Sequence, residues 1–152
     1  MRVGEIMTRE VKTALPGEWA DDAYRRMRLH RIRHLVVMEN KRVVGVVSER
    51  DLGGGHGTEL RAGRTIEDLM VREVATASPE TTIRQAANML RGRTIGCLPV
   101  VEDSKLVGIV TVTDLLDLVG EVIRKASTDA RWKPVRRMGR WPHNVETRRA
   151  KF

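Results

Sequence analysis

A single cysteine in 152 residues rules out an internal disulfide. Cys97 lies in the apolar run 95–101, so its expected role is that of a small buried hydrophobe in a reducing compartment. Aromatic residues make up only 3% of the chain, as Tyr24, Phe152 and three tryptophans. Any core must therefore be built from Val, Ile, Leu, Met and Ala. No apolar stretch approaches the roughly 20 residues of a membrane helix, and the start Met1-Arg2-Val3-Gly4-Glu5 has no signal-peptide core. A soluble, cytoplasmic protein is expected. His30, His34, His56 and His143 are scattered rather than clustered with Cys or carboxylates, which argues against a metal site. The Gly-rich stretch 53–63 lacks the Gly-Lys-Ser/Thr ending of a phosphate loop, and no Gly-x-Ser-x-Gly turn occurs. The expectation is no catalytic residues, no obligatory cofactor and no enzyme.

Charge is abundant but unevenly placed. The formal net charge is +8. Residues 124–152 hold ten basic side chains against two acidic ones, so this tail carries the whole excess and the rest of the chain is neutral.

What the chain does have is a repeat. Residues 3–52 superpose on 66–115 at a constant offset of 63, without a gap. Met7 falls on Met70, Arg9-Glu10-Val11 on Arg72-Glu73-Val74, Gly45 on Gly108, and Asp51-Leu52 on Asp114-Leu115. A unit of about fifty residues is too small to be comfortably stable alone, so two copies imply a pair packed about a pseudo-two-fold axis. In each copy the apolar pattern predicts β-α-β-β-α: strand 11–14, helix 19–30, strands 35–38 and 43–47 around a polar turn, then a helix after Ser48. The second copy predicts strand 74–77, helix 82–90, strands 97–101 and 106–110, then a helix after Thr111. The fold class is α+β, with units at 1–55 and 65–123, a flexible Gly-rich linker at 56–64 and a basic extension at 124–152.

The chemistry sits where each last strand meets its helix. Gly45-Val46-Val47-Ser48-Glu49-Arg50-Asp51 and Gly108-Ile109-Val110-Thr111-Val112-Thr113-Asp114 share the form Gly-apolar-apolar-Ser/Thr-x-x-Asp. A capping box explains one such segment by itself. Its recurrence favours binding as well: free N–H groups and a hydroxyl suit a phosphate, and a carboxylate one turn on can accept both hydroxyls of a ribose.

The tandem repeat, the openings Met7 to Thr13 and Met70 to Thr76, the run Leu98-Pro99-Val100-Val101 and the two Gly-x-x-Ser/Thr-x-x-Asp segments resemble a CBS-domain pair, or Bateman module. The resemblance covers about residues 1–123. It implies a regulatory module whose two clefts take an adenosine-containing ligand such as AMP, ADP, ATP or S-adenosylmethionine. One cleft would use Asp51 for the ribose, Ser48 with Arg33 and His34 for phosphate, and Thr76, Ile95 and Gly96 around the base. The other would use Asp114 and Thr111, with Thr13, Ile32 and Arg33 near the base. Because Gly96-Cys97 stand where the first copy has Arg33-His34, phosphorylated ligands are expected to prefer the Ser48/Asp51 cleft. The resemblance also implies a homodimer and an unidentified regulated protein; the stripe Leu115, Leu118, Val119 and Val122 suits either the dimer face or ordinary core.

The alternative is a nucleic-acid-binding protein. The tail interleaves Trp132 and Trp141 with Arg131, Lys133, Arg136, Arg137 and Arg140, a composition able to neutralise phosphates and stack on bases, with the repeats as a dimerisation scaffold. A flexible or docked extension explains the same residues and is favoured. Nucleic-acid binding predicts affinity that falls steeply with salt and is lost on truncation at Ser127; salt-insensitive binding, or none, excludes it.

Overall fold

A computed structural model describes residues 1–93 and 95–129. The element order is α1 (Val3–Ile6), β1 (Thr13–Ala14), α2 (Ala20–His30), β2 (His34–Glu39), β3 (Arg42–Ser48), α3 (Thr58–Arg61), α4 (Ile66–Leu69), α5 (Ile83–Arg93), β4 (Cys97–Glu102), β5 (Lys105–Thr111) and α6 (Val112–Asp129), with a 3-10 turn at Gly54–His56. Met1–Val119 forms one compact unit. The basic residues from Arg131 onward, and so the tail reading, lie outside the described residues.

The α+β architecture follows the repeat. Each copy holds an antiparallel hairpin, β2–β3 and β4–β5. Both hairpins turn through two residues of positive φ, Asn40-Lys41 and Asp103-Ser104, as a tight two-residue turn requires. The helices α2 and α5 cover these hairpins with Ala23 and Met27 in one core and Ala86 and Leu90 in the other.

The two cores are completed by exchange. Val3 and Met7, from the first copy, pack with Ala86, Leu98, Val100 and Val110 of the second. Ile66, from the second copy, packs with Ala20, Met27, Leu35 and Val47 of the first. Main-chain bonds repeat the exchange at the offset of the repeat: Val3 N donates to Thr81 O at 2.8 Å and Ile66 N to Glu18 O at 2.9 Å. Thr8 and Ile109 bond each other in both directions, as do Val71 and Val46. This reciprocity is the pseudo-two-fold relation expected from the repeat.

The exchange also explains the repeated glycine. A Cβ on Gly45 would lie 2.8 Å from Val71 O and from Met70 Sδ; one on Gly108 would lie 2.5 Å from Met7 Sδ and 3.1 Å from Thr8 O. Each glycine is the place where the opening segment of the other copy crosses the last strand.

Three expected elements differ. The strand 74–77 is reduced to a single parallel bridge, Ala77 to Val100. In the first copy Val36 N donates to Lys12 O, extending β1 alongside β2. Its counterpart Pro99 has no N–H to give, so that rung is lost. The helix expected after Ser48 is only one turn, closed by Leu52 N on Ser48 O at 3.2 Å and ended by Gly53 and Gly54 at φ 81 and 57. The glycine-rich connection, expected to be a flexible tether, is pinned. Arg61 is 5% exposed; its Nε donates to Asp21 Oδ1 at 2.9 Å, one terminal nitrogen donates to Leu52 O and Gly54 O, and its guanidinium lies 3.8 Å from the Tyr24 ring centre.

Gly45→Ala and Gly108→Ala should each destabilise the fold by about 1–3 kcal/mol through overpacking. Gly17→Ala, with nothing within 4 Å of the added carbon, should stay within about 0.5 kcal/mol of the parent in urea denaturation.

Candidate functional site

Both Gly-x-x-Ser/Thr-x-x-Asp segments fold into reciprocal caps. Ser48 N donates to Asp51 Oδ2 at 2.8 Å and Asp51 N to Ser48 Oγ at 3.1 Å. Thr111 N and Oγ1 donate to Asp114 Oδ2 at 2.7 and 2.9 Å, and Asp114 N to Thr111 Oγ1 at 3.2 Å. The capping explanation is therefore correct as local geometry. These bonds use Oδ2 of each carboxylate and leave Oδ1 with accepting capacity.

Each cap stands beside a cavity. The first, about 500 Å³, is lined by Ser48, Asp51, Arg33, His34, Ile95 and Gly96, together with Val46, Glu49, Arg50, Gly54, Val71, Val74 and Cys97. The second, about 660 Å³, is lined by Thr111, Asp114, Ile32, Arg33, His34 and Gly96, with Thr8, Glu10, Val11, Lys12, Arg31, Ile109, Val112 and Thr113. Both draw on the two copies, and most lining positions correspond at the offset of 63.

Nine of the eleven expected site residues thus line one cavity or both. Thr76 and Thr13 do not: both are exposed, and Val74 and Val11, two residues earlier in each copy, take the lining positions. Among the lining residues missed are some from the exchanged openings, Thr8, Lys12 and Val71. Their distance in sequence from the caps hides them until the crossing of the two copies is known.

The expected difference between the clefts changes as well. Arg33 and His34 line both cavities, so the second is not left without charge by Gly96-Cys97. The first sets Arg33 and Arg50 against Glu49 and Asp51, while the second sets Lys12, Arg31 and Arg33 against Glu10 and Asp114. The more basic cleft is the one around Asp114. Glu49 is further engaged by Arg28 at 3.8 Å.

His34 sits between the clefts. A Cβ on Gly96 would lie 2.6 Å from its Nε2, so the ring occupies the space beside that glycine. Burial lowers the His34 pKa from its ordinary 6.5; the Asp51 charge opposes this shift and Arg33 adds to it. Cys97 is buried, and its thiol pKa is pushed up to about 12 by burial and by Asp51. It is a protonated hydrophobe, not a nucleophile. Among the described residues, no cluster of His, Cys, Asp and Glu could hold a metal ion, and no helix is long and apolar enough to cross a membrane.

Two clefts of equivalent residues, made by paired copies of a helix and hairpin whose openings are exchanged, define a class of protein. The CBS domain model matches residues 3–52 and 66–121, and the chain belongs to the CBS-domain family. It is 33% identical over 124 residues to an uncharacterised protein of Methanopyrus kandleri, covering 76% of this chain and 61% of that one. It is 32% identical over 115 residues to the inosine-5'-monophosphate dehydrogenase of Korarchaeum cryptofilum, covering 75% of this chain but only 23% of the enzyme. The chain therefore spans less than two thirds of either relative. Among solved structures, a CBS domain pair in complex with 5'-methylthioadenosine and S-adenosyl-L-methionine is 27% identical at TM-score 0.73, covering 80% of this chain and 98% of that one. A CBS-pair protein of Arabidopsis thaliana in complex with AMP is 28% identical at TM-score 0.68, covering 81% and 98%.

The His34 shift has a definite sign in stability. Below pH 6.5 the unfolded chain takes up a proton that the folded imidazole resists, so this residue's contribution is complete above that pH and is lost as pH falls through its depressed folded value. Urea midpoints of the parent should fall in this window, and His34→Gln should flatten that part of the profile.

Proposed function

We propose that the protein is a regulatory, non-catalytic module that binds an adenosine-containing ligand, AMP, ADP, ATP or S-adenosylmethionine, in the clefts between its repeats and signals to a partner protein. The observation that carries this is the pairing of each Ser/Thr–Asp cap with a cavity of about 500 or 660 Å³, within the range of small-molecule sites. The cap's free carboxylate oxygen suits ribose hydroxyls, and the apolar walls, Val46, Val71, Val74 and Ile95 in one cleft and Val11, Ile32 and Ile109 in the other, suit a base. Relatives of similar fold crystallised with AMP, 5'-methylthioadenosine and S-adenosyl-L-methionine support the same ligand class. Signalling then requires the ligand to bind one arrangement of the two copies better than another.

A second copy of the chain belongs to this proposal. Of the candidate face, Leu115 packs on the second core, whereas Leu116, Val119, Val122 and Ile123 are 64, 54, 57 and 62% exposed along α6. Such a stripe calls for apolar cover, and a paired α6 would supply it.

Calorimetric titration with AMP, ADP, ATP, S-adenosylmethionine and NAD should show saturable binding, with Asp51→Ala abolishing it in one cleft and Asp114→Ala in the other. Failure of all five to bind would reject the adenosyl reading.

A further inference from the structure

We propose that the Thr111/Asp114 cleft selects a polyphosphorylated ligand, a nucleoside di- or triphosphate, while the Ser48/Asp51 cleft takes an adenosyl ligand of little or no net charge. The proposal rests on the adenosyl reading and deepens it by dividing the ligand class between the two sites.

The division comes from Lys12 and Arg31, which line only the second cleft, whereas Arg33 lines both. Lys12, Arg31 and Arg33 line the second cleft, and none of them is held in an ion pair among the described residues. Two carboxylates, Glu10 and Asp114, oppose them. Asp51 and Asp114 are bonded to their caps through Oδ2 in the same way, so the difference between the clefts lies in the other charges. The balance is an excess of positive charge in the larger of the two cavities, about 660 Å³ against about 500 Å³. A multiply charged phosphate chain gains from each of these cations, and an uncharged adenosine gains from none.

Arg31 carries a second observation. It caps the C-terminus of α2 at φ 54 and ψ 41, a left-handed conformation that favours Gly or Asn. An arginine at that position sets a long cationic side chain on the cleft wall. In the first cleft two cations, Arg33 and Arg50, face Asp51 and Glu49, the latter also engaged by Arg28 at 3.8 Å, and Val46, Val71, Val74, Ile95 and Cys97 make much of the remaining wall apolar. The 18-residue helix α6 starts at the second cleft, whereas only one turn follows Ser48 at the first. The helix end adds to the preference set by the side chains.

The test isolates each cleft. Asp51→Ala changes no residue that lines the Thr111/Asp114 cleft, and Asp114→Ala none that lines the other. Each is titrated with adenosine, AMP, ADP, ATP and inorganic tripolyphosphate, alone and combined with Lys12→Gln or Arg31→Gln. In the Asp51→Ala protein, affinity should rise about tenfold or more from adenosine to ATP, a gain that exposed cations within reach of phosphate can supply. Lys12→Gln and Arg31→Gln should remove most of that gain and leave adenosine affinity unchanged. The Asp114→Ala protein should show no comparable rise. A rise in the Asp114→Ala protein instead, or an equal loss of ATP and adenosine affinity in the glutamine variants, would overturn the proposal. Tripolyphosphate binding that depends on Lys12 and Arg31, with no adenosine compound binding, would reject the adenosyl reading and keep the phosphate site. No binding of any compound, tripolyphosphate included, would reject both.

Discussion

The structure depends on one crossing, in which the opening segment of each copy leaves its own unit and closes the core of the other. Val3 and Ile66 are each fully buried in a core that the rest of their own copy does not form. A fifty-residue unit buries too little surface to offset its conformational entropy, and the exchange joins two such units into one cooperative body. The same crossing accounts for Gly45 and Gly108, because a Cβ would meet the Val71 carbonyl and Met70 at the first and the Met7 side chain at the second. It also brings Thr8 and Val71 to the clefts, so the contacts that stabilise the fold build the walls of the candidate sites.

Much of this was legible in the sequence because a repeat reports on itself. The offset of 63 predicted paired elements, and both hairpins and the helices α2 and α5 lie within a few residues of where apolar spacing places them. The capped aspartates were legible for the same reason, since a three-residue reach from hydroxyl to carboxylate is local geometry. The crossing was not legible, because nothing in Val3 or Met7 distinguishes packing on one's own copy from packing on the other. Thr13 and Thr76 were misplaced for a related reason. Residues two apart share a face of an extended segment, so alternation places Val11 with Thr13 and Val74 with Thr76 but does not fix how far along that face the cavity reaches.

Departures from the repeat have single-residue causes, and two of them could have been read in advance. Pro99 in the place of Val36 removes one donor and with it a two-residue strand. Gly53 and Gly54 end after one turn what continues as α6 in the other copy. Arg61 is different in kind: an arginine amid glycines reads as solvated, and only the positions of Asp21, Tyr24 and the Leu52 and Gly54 carbonyls turn it into a buried clamp. Gly54 also lines the first cleft, so that cleft has a wall fixed from the connection between the copies, for which the second cleft has no counterpart in α6.

The clefts are not independent in their composition. Arg33, His34 and Gly96 line both, and the His34 ring fills the space beside Gly96 that any larger residue would need. An anion held by Arg33 in one cleft reduces what Arg33 can offer in the other. A ligand that moves the His34 strand against the Gly96 segment alters both walls at once, because those residues belong to different copies. Two ligands bound on either side of such a partition would be coupled without a long pathway, and linkage would then require each to alter the affinity for the other by the same factor. Gly96 is therefore constrained from both sides, by the ring beside it and by its carbonyl, which accepts from Val112 N at 3.1 Å and so ties the partition to the start of α6. The matching bond, Glu49 N to Arg33 O at 2.8 Å, ties the same partition to the start of the Ser48 turn.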